Sequence, residues 1–184
     1  MEIAPNGLEP RLGWSMLIAM KALLVSSFLA LVPVAALAAG PVAVGQNGGK
    51  YGQWTAASYG QGQDKVCYAF VHVQSSSPAI PSRGKVMLTV SERHDVHNEV
   101  SVTAGYDYPR DAKVTLTVGT QSFPLYTQRN VAFSSAGAQA VAAFKIGNSA
   151  TVVSPLPHGQ GHVSDVFSLA GFSDAYNAIV KACR

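Results

Sequence analysis

Histidine supplies the residues closest to a metal centre. His94 and His97 stand three apart, and His158 and His162 stand four apart. Four imidazoles would suit Zn²⁺ or Cu²⁺. Each pair falls in a polar or Pro/Gly-rich stretch, where such spacing fixes no common direction. Solvated loop histidines are therefore expected, and no metal or cofactor is assigned. A hydrolase needs a nucleophile, a base and an orienting group. Ser91, His94 and Asp95 have the right types, but triads are assembled by folding, not by adjacency. No G-x-S-x-G elbow occurs. Asp107 and Asp111 flank Tyr108-Pro109-Arg110 and read as turn residues. Gly45 to Lys50 lacks the spacing of a phosphate-binding loop. No catalytic residue is assigned.

Aromatic residues offer binding rather than catalysis. Tyr68, Phe70, Phe123, Tyr126, Phe133, Phe144, Phe167 and Phe172 are expected to fill a core. Trp54, Tyr59, Tyr106 and Tyr108 lie near turns and could form an exposed patch. Tyr106, Tyr108 and Arg110 form the candidate recognition patch, because Tyr and Arg dominate interface hot spots.

Short strands must position these residues. Strands are expected over 54–59, 65–74, 85–91, 98–104, 114–118, 130–133, 150–153 and 163–169. Asn98 to Ala104 shows the cleanest alternation, with Val100, Val102 and Ala104 on one side. Gly119-Thr120 turns the chain into a hairpin partner over 121–127. Residues 75–81 and 154–161 are rich in Ser, Pro and Gly and read as loops; Pro155 and Pro157 bar a central strand. An alanine-rich helix spans 136–146 and stops at Gly147. A last helix runs to Lys181 with Ser173 as N-cap. About eight short strands and two late helices predict a mainly β fold: an antiparallel β-sandwich or barrel-like domain.

Upstream, residues 22–39 are apolar and uncharged, Lys21 precedes them, and Ala36-Leu37-Ala38 is a small-x-small site. That combination predicts a signal peptide over 1–38, with 1–19 read as a miscalled start. A retained membrane helix is the alternative; Pro33 and the missing basic stop argue against it. Residues 39–52 read as a flexible leader, and 53–184 as one domain. The product is expected in the periplasm or outside the cell, with no further membrane span. In an oxidising compartment Cys67 and Cys183 read as one structural disulfide, tying the tail to an early strand. A metal site or a reactive thiol pair is the alternative.

Among the 184 residues, charged types make up only 12% and the net charge is +3. Ser, Thr, Gln and Asn must therefore carry the surface. The basic residues are scattered, which argues against a nucleic-acid partner.

The stretch from Trp54 to Cys183 resembles the invasion-associated locus B family of bacterial secreted proteins. Lys65-Val66-Cys67-Tyr68-Ala69 resembles its early cysteine strand. Asn98 to Val102 with Gly105-Tyr106 resembles its central strand and turn. Gly119, Phe123, Leu125 and Tyr126 match its hairpin; Ala132-Phe133, Ala142 to Lys145 and Gly147 match its helix and stop. Ser168 to Phe172, Ala175, Ile179 and Cys183 match its closing strand, helix and cysteine. The proline-bearing segment 154–162 departs from the family pattern. The resemblance implies a β-rich envelope or secreted protein; it does not imply an enzyme, and none is expected. Binding of a protein or envelope component, in some members linked to host-cell invasion, is the expected function. A periplasmic small-ligand or metal-binding module and a hydrolase are the alternatives.

Overall fold

The structure is a computed structural model and describes residues 40–184. The signal peptide expected over 1–38 lies outside the described residues. Twelve strands form one antiparallel sheet: β1 (Val42–Ala43), β2 (Lys50–Tyr51), β3 (Trp54–Tyr59), β4 (Val66–His72), β5 (Ser75–Ser77), β6 (Met87–Glu92), β7 (Glu99–Thr103), β8 (Val114–Val118), β9 (Gln121–Gln128), β10 (Val131–Ser134), β11 (Ser149–Pro155) and β12 (His162–Ser168). Two helices follow the expected order, α1 (Gly137–Ile146) and α2 (Phe172–Cys183).

The sheet runs β1-β3-β4-β6-β7-β10-β9-β8-β11-β12-β5, with β2 paired to β3. Only Val73 and Gln74 separate β4 from β5, yet β5 pairs with β12 at the far edge. The Gln74 amide already donates to the Val166 carbonyl at 2.8 Å. The chain therefore bends the sheet back towards β4, giving a barrel-like shape without full closure. Alternating positions fill its interior: Cys67, Ala69 and Val71 of β4, Leu88 and Val90 of β6, Val100 and Val102 of β7, Leu116 of β8 and Phe167 of β12 are buried.

Both helices pack into this core. Helix α2 buries Phe172, Ala175, Tyr176 and Ile179, a stripe at i, i+3, i+4 and i+7. Phe172 meets Trp54 of β3 edge-on at 4.8 Å and Phe144 of α1 at 5.2 Å. The fully buried Trp54 donates its indole N–H to the Ser168 carbonyl at 3.0 Å, which avoids an orphaned donor.

Several sequence expectations are corrected. The stretch read as a flexible leader instead adds β1 and β2 to β3, and Val44 is buried. Residues 75–77, read as loop, form β5. Pro155 ends β11 opposite His162, at a hairpin mouth where no donor is needed. The α2 N-cap is Gly171, not Ser173; its φ is +89° and no side chain caps the helix. A Cβ there would strike the Tyr51 carbonyl. Gly147 does end α1, but with extended backbone; its missing side chain makes room for Val118 and Leu169.

The phase of β4 is also corrected. Both phases of Lys65 to Gln74 are apolar, so alternation cannot choose between them. The structure turns the small residues Cys67 and Ala69 inward, beneath α2, and turns Tyr68 and Phe70 outward. Tyr126, expected in the core, is 60% exposed.

Candidate binding surface and buried charge clusters

The outward residues of successive strands line up by register. Phe70 stands opposite Thr89, Thr89 opposite Ser101, Ser101 opposite Phe133, and Phe133 opposite Tyr126. One transverse row thus reads aromatic, hydroxyl, hydroxyl, aromatic, aromatic. Strands lie about 4.8 Å apart, so Phe70 and Phe133 are roughly 14 Å apart. Tyr126 stacks on Phe133 with centroids at 5.6 Å. Tyr68 and His72 flank Phe70 at 6.0 and 5.7 Å along β4. Most of this face is half-buried, while His72 is exposed and Tyr126 is 60% exposed.

Among the described residues, two carboxylates lie inside. Asp165 of β12 is 1% exposed and meets Arg83 through two contacts, at 2.7 and 2.8 Å. Ser76 of β5 donates to the same carboxylate at 2.6 Å, and the Arg83 Nε–H donates to the Ala104 carbonyl at 2.6 Å. The Tyr106 ring covers the Arg83 guanidinium at 5.1 Å. Its hydroxyl donates to the Pro155 carbonyl at 2.6 Å and lies 3.2 Å from the Ser154 hydroxyl. Tyr108 packs edge-on against Tyr106 at 5.7 Å, and its buried hydroxyl has no partner among the described residues. Burial raises the pKa of both phenols above the usual value; for Tyr108 the neighbouring Tyr106 adds to the rise.

Glu92 of β6 is fully buried. The Arg184 guanidinium grips it through Nε and Nη2 at 2.8 and 2.9 Å, the Asn98 amide donates at 3.0 Å, and His97 Nδ1 lies 3.0 Å away. These hydrogen bonds hold the Arg184 pKa above its usual value. Burial raises the Tyr176 phenol, which donates to Asn98 Oδ1 at 2.6 Å.

The candidate residues therefore go to different places. Cys67 and Cys183 form the disulfide. Tyr106 and Tyr108 are half-buried over the Arg83–Asp165 pair, and Arg110 is exposed on the turn. His97 bonds to Glu92, and His94 lines a shallow recess with Asp64, Arg93 and Asp95. His162 sits at the mouth of the β11–β12 hairpin and His158 in its turn. No group of three or more metal-ligating side chains converges among the described residues. An open groove of about 800 Å³ separates Val44–Tyr51 from α2, with Asp174, Asn177 and Lys181 on its helical wall. No helix among the described residues is long and apolar enough to cross a membrane.

The sequence reading passed over Glu92, Asp165, Arg83 and Arg184. A signal for the two acids existed. Leu88-x-Val90-x-Glu92 and Val163-x-Asp165-x-Phe167 place each acid on the inward phase of an alternating strand. An acid there must meet a cation on folding or be discharged.

The ordered strands and closing helix that carry these clusters match a known family: residues 54–180 fit the family described as "Invasion associated locus B (IalB) protein". The chain belongs to the invasion-associated locus B family. Among solved structures, this IalB chain is similar to invasion associated protein B from Bartonella henselae. The TM-score is 0.53 at 19% identity, over 72% of this chain and 95% of that one. At that identity the likeness shows the shared fold. No curated protein matches the sequence significantly. Membership places the IalB chain in a family of bacterial envelope and secreted proteins.

Proposed function

We propose that this IalB chain is a non-enzymatic envelope or secreted protein that acts by binding a protein or another envelope component. The row from Phe70 to Tyr126 carries this reading. It sets aromatic rings and hydroxyls on an outward sheet face, and a stacked pair centred on a 60%-exposed tyrosine adds little to the core. The acids with the deepest burial point the same way. Asp165 and Glu92 are each matched by an arginine in a two-point contact, an arrangement that holds structure and leaves no free base. The Tyr106–Arg110 turn is a second contact region, in which Arg110 is exposed while the two rings pack inward over the Arg83–Asp165 pair. The name of the Bartonella neighbour, an invasion associated protein, favours a host-cell encounter as the setting. Processing after Ala38 would deliver the chain to the periplasm or beyond.

The test is capture of a partner by tag-free protein, on intact cells and on envelope extracts. Replacing Phe70, Tyr126 and Phe133 by Ser should abolish capture while the far-ultraviolet spectrum is kept. Undiminished capture by that variant removes the sheet face. Loss in a Tyr106/Tyr108/Arg110 alanine variant would move the contact to the turn. The small-ligand alternative would use the groove beside α2; thermal shifts with small envelope-derived metabolites that vanish on Lys181→Ala would favour it.

A further inference from the structure

Consecutive residues at the end of α2 engage directly paired residues of the sheet. Cys67 of β4 and Glu92 of β6 are cross-strand partners, and both side chains point inward and are fully buried. Cys183 bonds to the first and Arg184 to the second. A third tether lies two residues before Cys67: the Lys65 ammonium donates to the Ala182 carbonyl at 2.8 Å. Two noncovalent contacts, one on each side of Cys183, thus hold the last turn of α2 in register with β4.

We propose that Arg184 and Glu92 are positioning residues for closure of the Cys67–Cys183 disulfide. Their ion pair docks the end of α2 before any covalent bond exists and sets Cys183 over the sulfur of Cys67. The two-point geometry of a guanidinium on a carboxylate fixes direction as well as distance, which a lone hydrogen bond to Lys65 does not. Burial dictates the order of the chemistry. Cys183 is a partly exposed residue, whereas Cys67 is fully buried. The Cys183 thiolate attacks an incoming disulfide, such as oxidised glutathione; that S–S bond breaks, and one glutathione thiolate leaves. The Cys67 thiolate then attacks the Cys183 sulfur and displaces the second glutathione thiolate. Two protein thiols are oxidised, one glutathione disulfide is reduced to two thiols, and the two protons released by the cysteines end on the glutathione. The ion pair acts on the second step, which depends on effective concentration rather than on access.

The experiment follows oxidation of fully reduced, folded protein by oxidised glutathione, with acid quench, alkylation and mass analysis. In Arg184→Ala the mixed disulfide at Cys183 should form at the normal rate, but its conversion to the intramolecular bond should slow by about tenfold or more. Arg184→Lys should recover part of the rate, having the charge without the fork. In denaturant all chains should close alike. Equal second-step rates in folded wild-type and Arg184→Ala protein would overturn the proposal. Should Arg184→Ala fail to fold when reduced, hydrogen exchange on a Cys67→Ser/Cys183→Ser chain decides the matter. Protected amides in the last turn of α2, at matched ionic strength, support docking without the bond. Free exchange there refutes it.

Discussion

The guanidinium of Arg83 and the carboxylate of Asp165, 82 positions apart in the chain, meet in a two-point ion pair with 7% and 1% side-chain exposure. Breaking one half of such a pair strands a charge in the interior. Asp165→Ala is expected to cost about 3–5 kcal/mol, measured as a fall in the urea midpoint. Replacing both partners, as Arg83→Met with Asp165→Leu, should recover most of that loss. A double variant as unstable as the single one would mean that packing, not stranded charge, sets the cost.

Tyr108 buries a hydroxyl with no partner among the described residues. Tyr108→Phe removes an unmet polar group, so stability at neutral pH should hold or rise by up to about 1 kcal/mol. The sign with pH follows from the raised phenol pKa. The folded state holds the proton more tightly than the unfolded state does, so the contribution is complete below the ordinary tyrosine value of 10.0. It is lost as pH rises from there towards the folded value. Melting curves between pH 8 and 11 should fall less steeply in Tyr108→Phe than in wild type. Tyr106 and Tyr176, raised in the same direction, should leave a residual alkaline slope.

The disulfide spans 116 positions. Loop-closure entropy then assigns it about 4–5 kcal/mol against the unfolded chain. Comparing urea unfolding of wild type with Cys67→Ser/Cys183→Ser checks this. A difference below about 1 kcal/mol would show that residual structure already restrains the unfolded chain or that native-state strain offsets the gain.

The start of α2 separates two cap assignments. Gly171→Ala forces a side chain into the left-handed region and against the Tyr51 carbonyl, and should cost more than about 1–3 kcal/mol. Ser173→Ala should cost under about 0.5 kcal/mol, as befits a residue inside the first turn. A loss near 1 kcal/mol for Ser173 would restore it as the cap.

Zinc titration of tag-free protein in a calorimeter should give no saturable heat at micromolar metal, because the histidine pairs do not converge with other ligands among the described residues. One-to-one binding lost on His94→Ala with His97→Ala would reverse that.

Strand positions were largely readable because period-2 alternation is local: Val114, Leu116 and Val118 announce β8 without reference to anything distant. Register and phase were not. In β4 both phases are apolar, and α2, contributed more than a hundred residues later, decides that Cys67 and Ala69 go inward and Tyr68 and Phe70 outward. Short edge strands escaped for a related reason. Ser75–Ser77 has no strand pattern of its own and pairs because Ser164 to Val166 offers an open ladder.

By itself, the sequence determined the mainly β class, the two late helices and the family, through local alternation, turn residues and an ordered set of motifs. It also offered Cys67 and Cys183 as a pair, because no other cysteines exist to choose from. Tertiary structure alone decided which residues share a surface. The row from Phe70 to Tyr126 and the grip of Arg184 on Glu92 both join residues far apart in the chain. Cross-strand register and burial of charge are properties of neighbours in space, and a linear reading of alternation does not carry them.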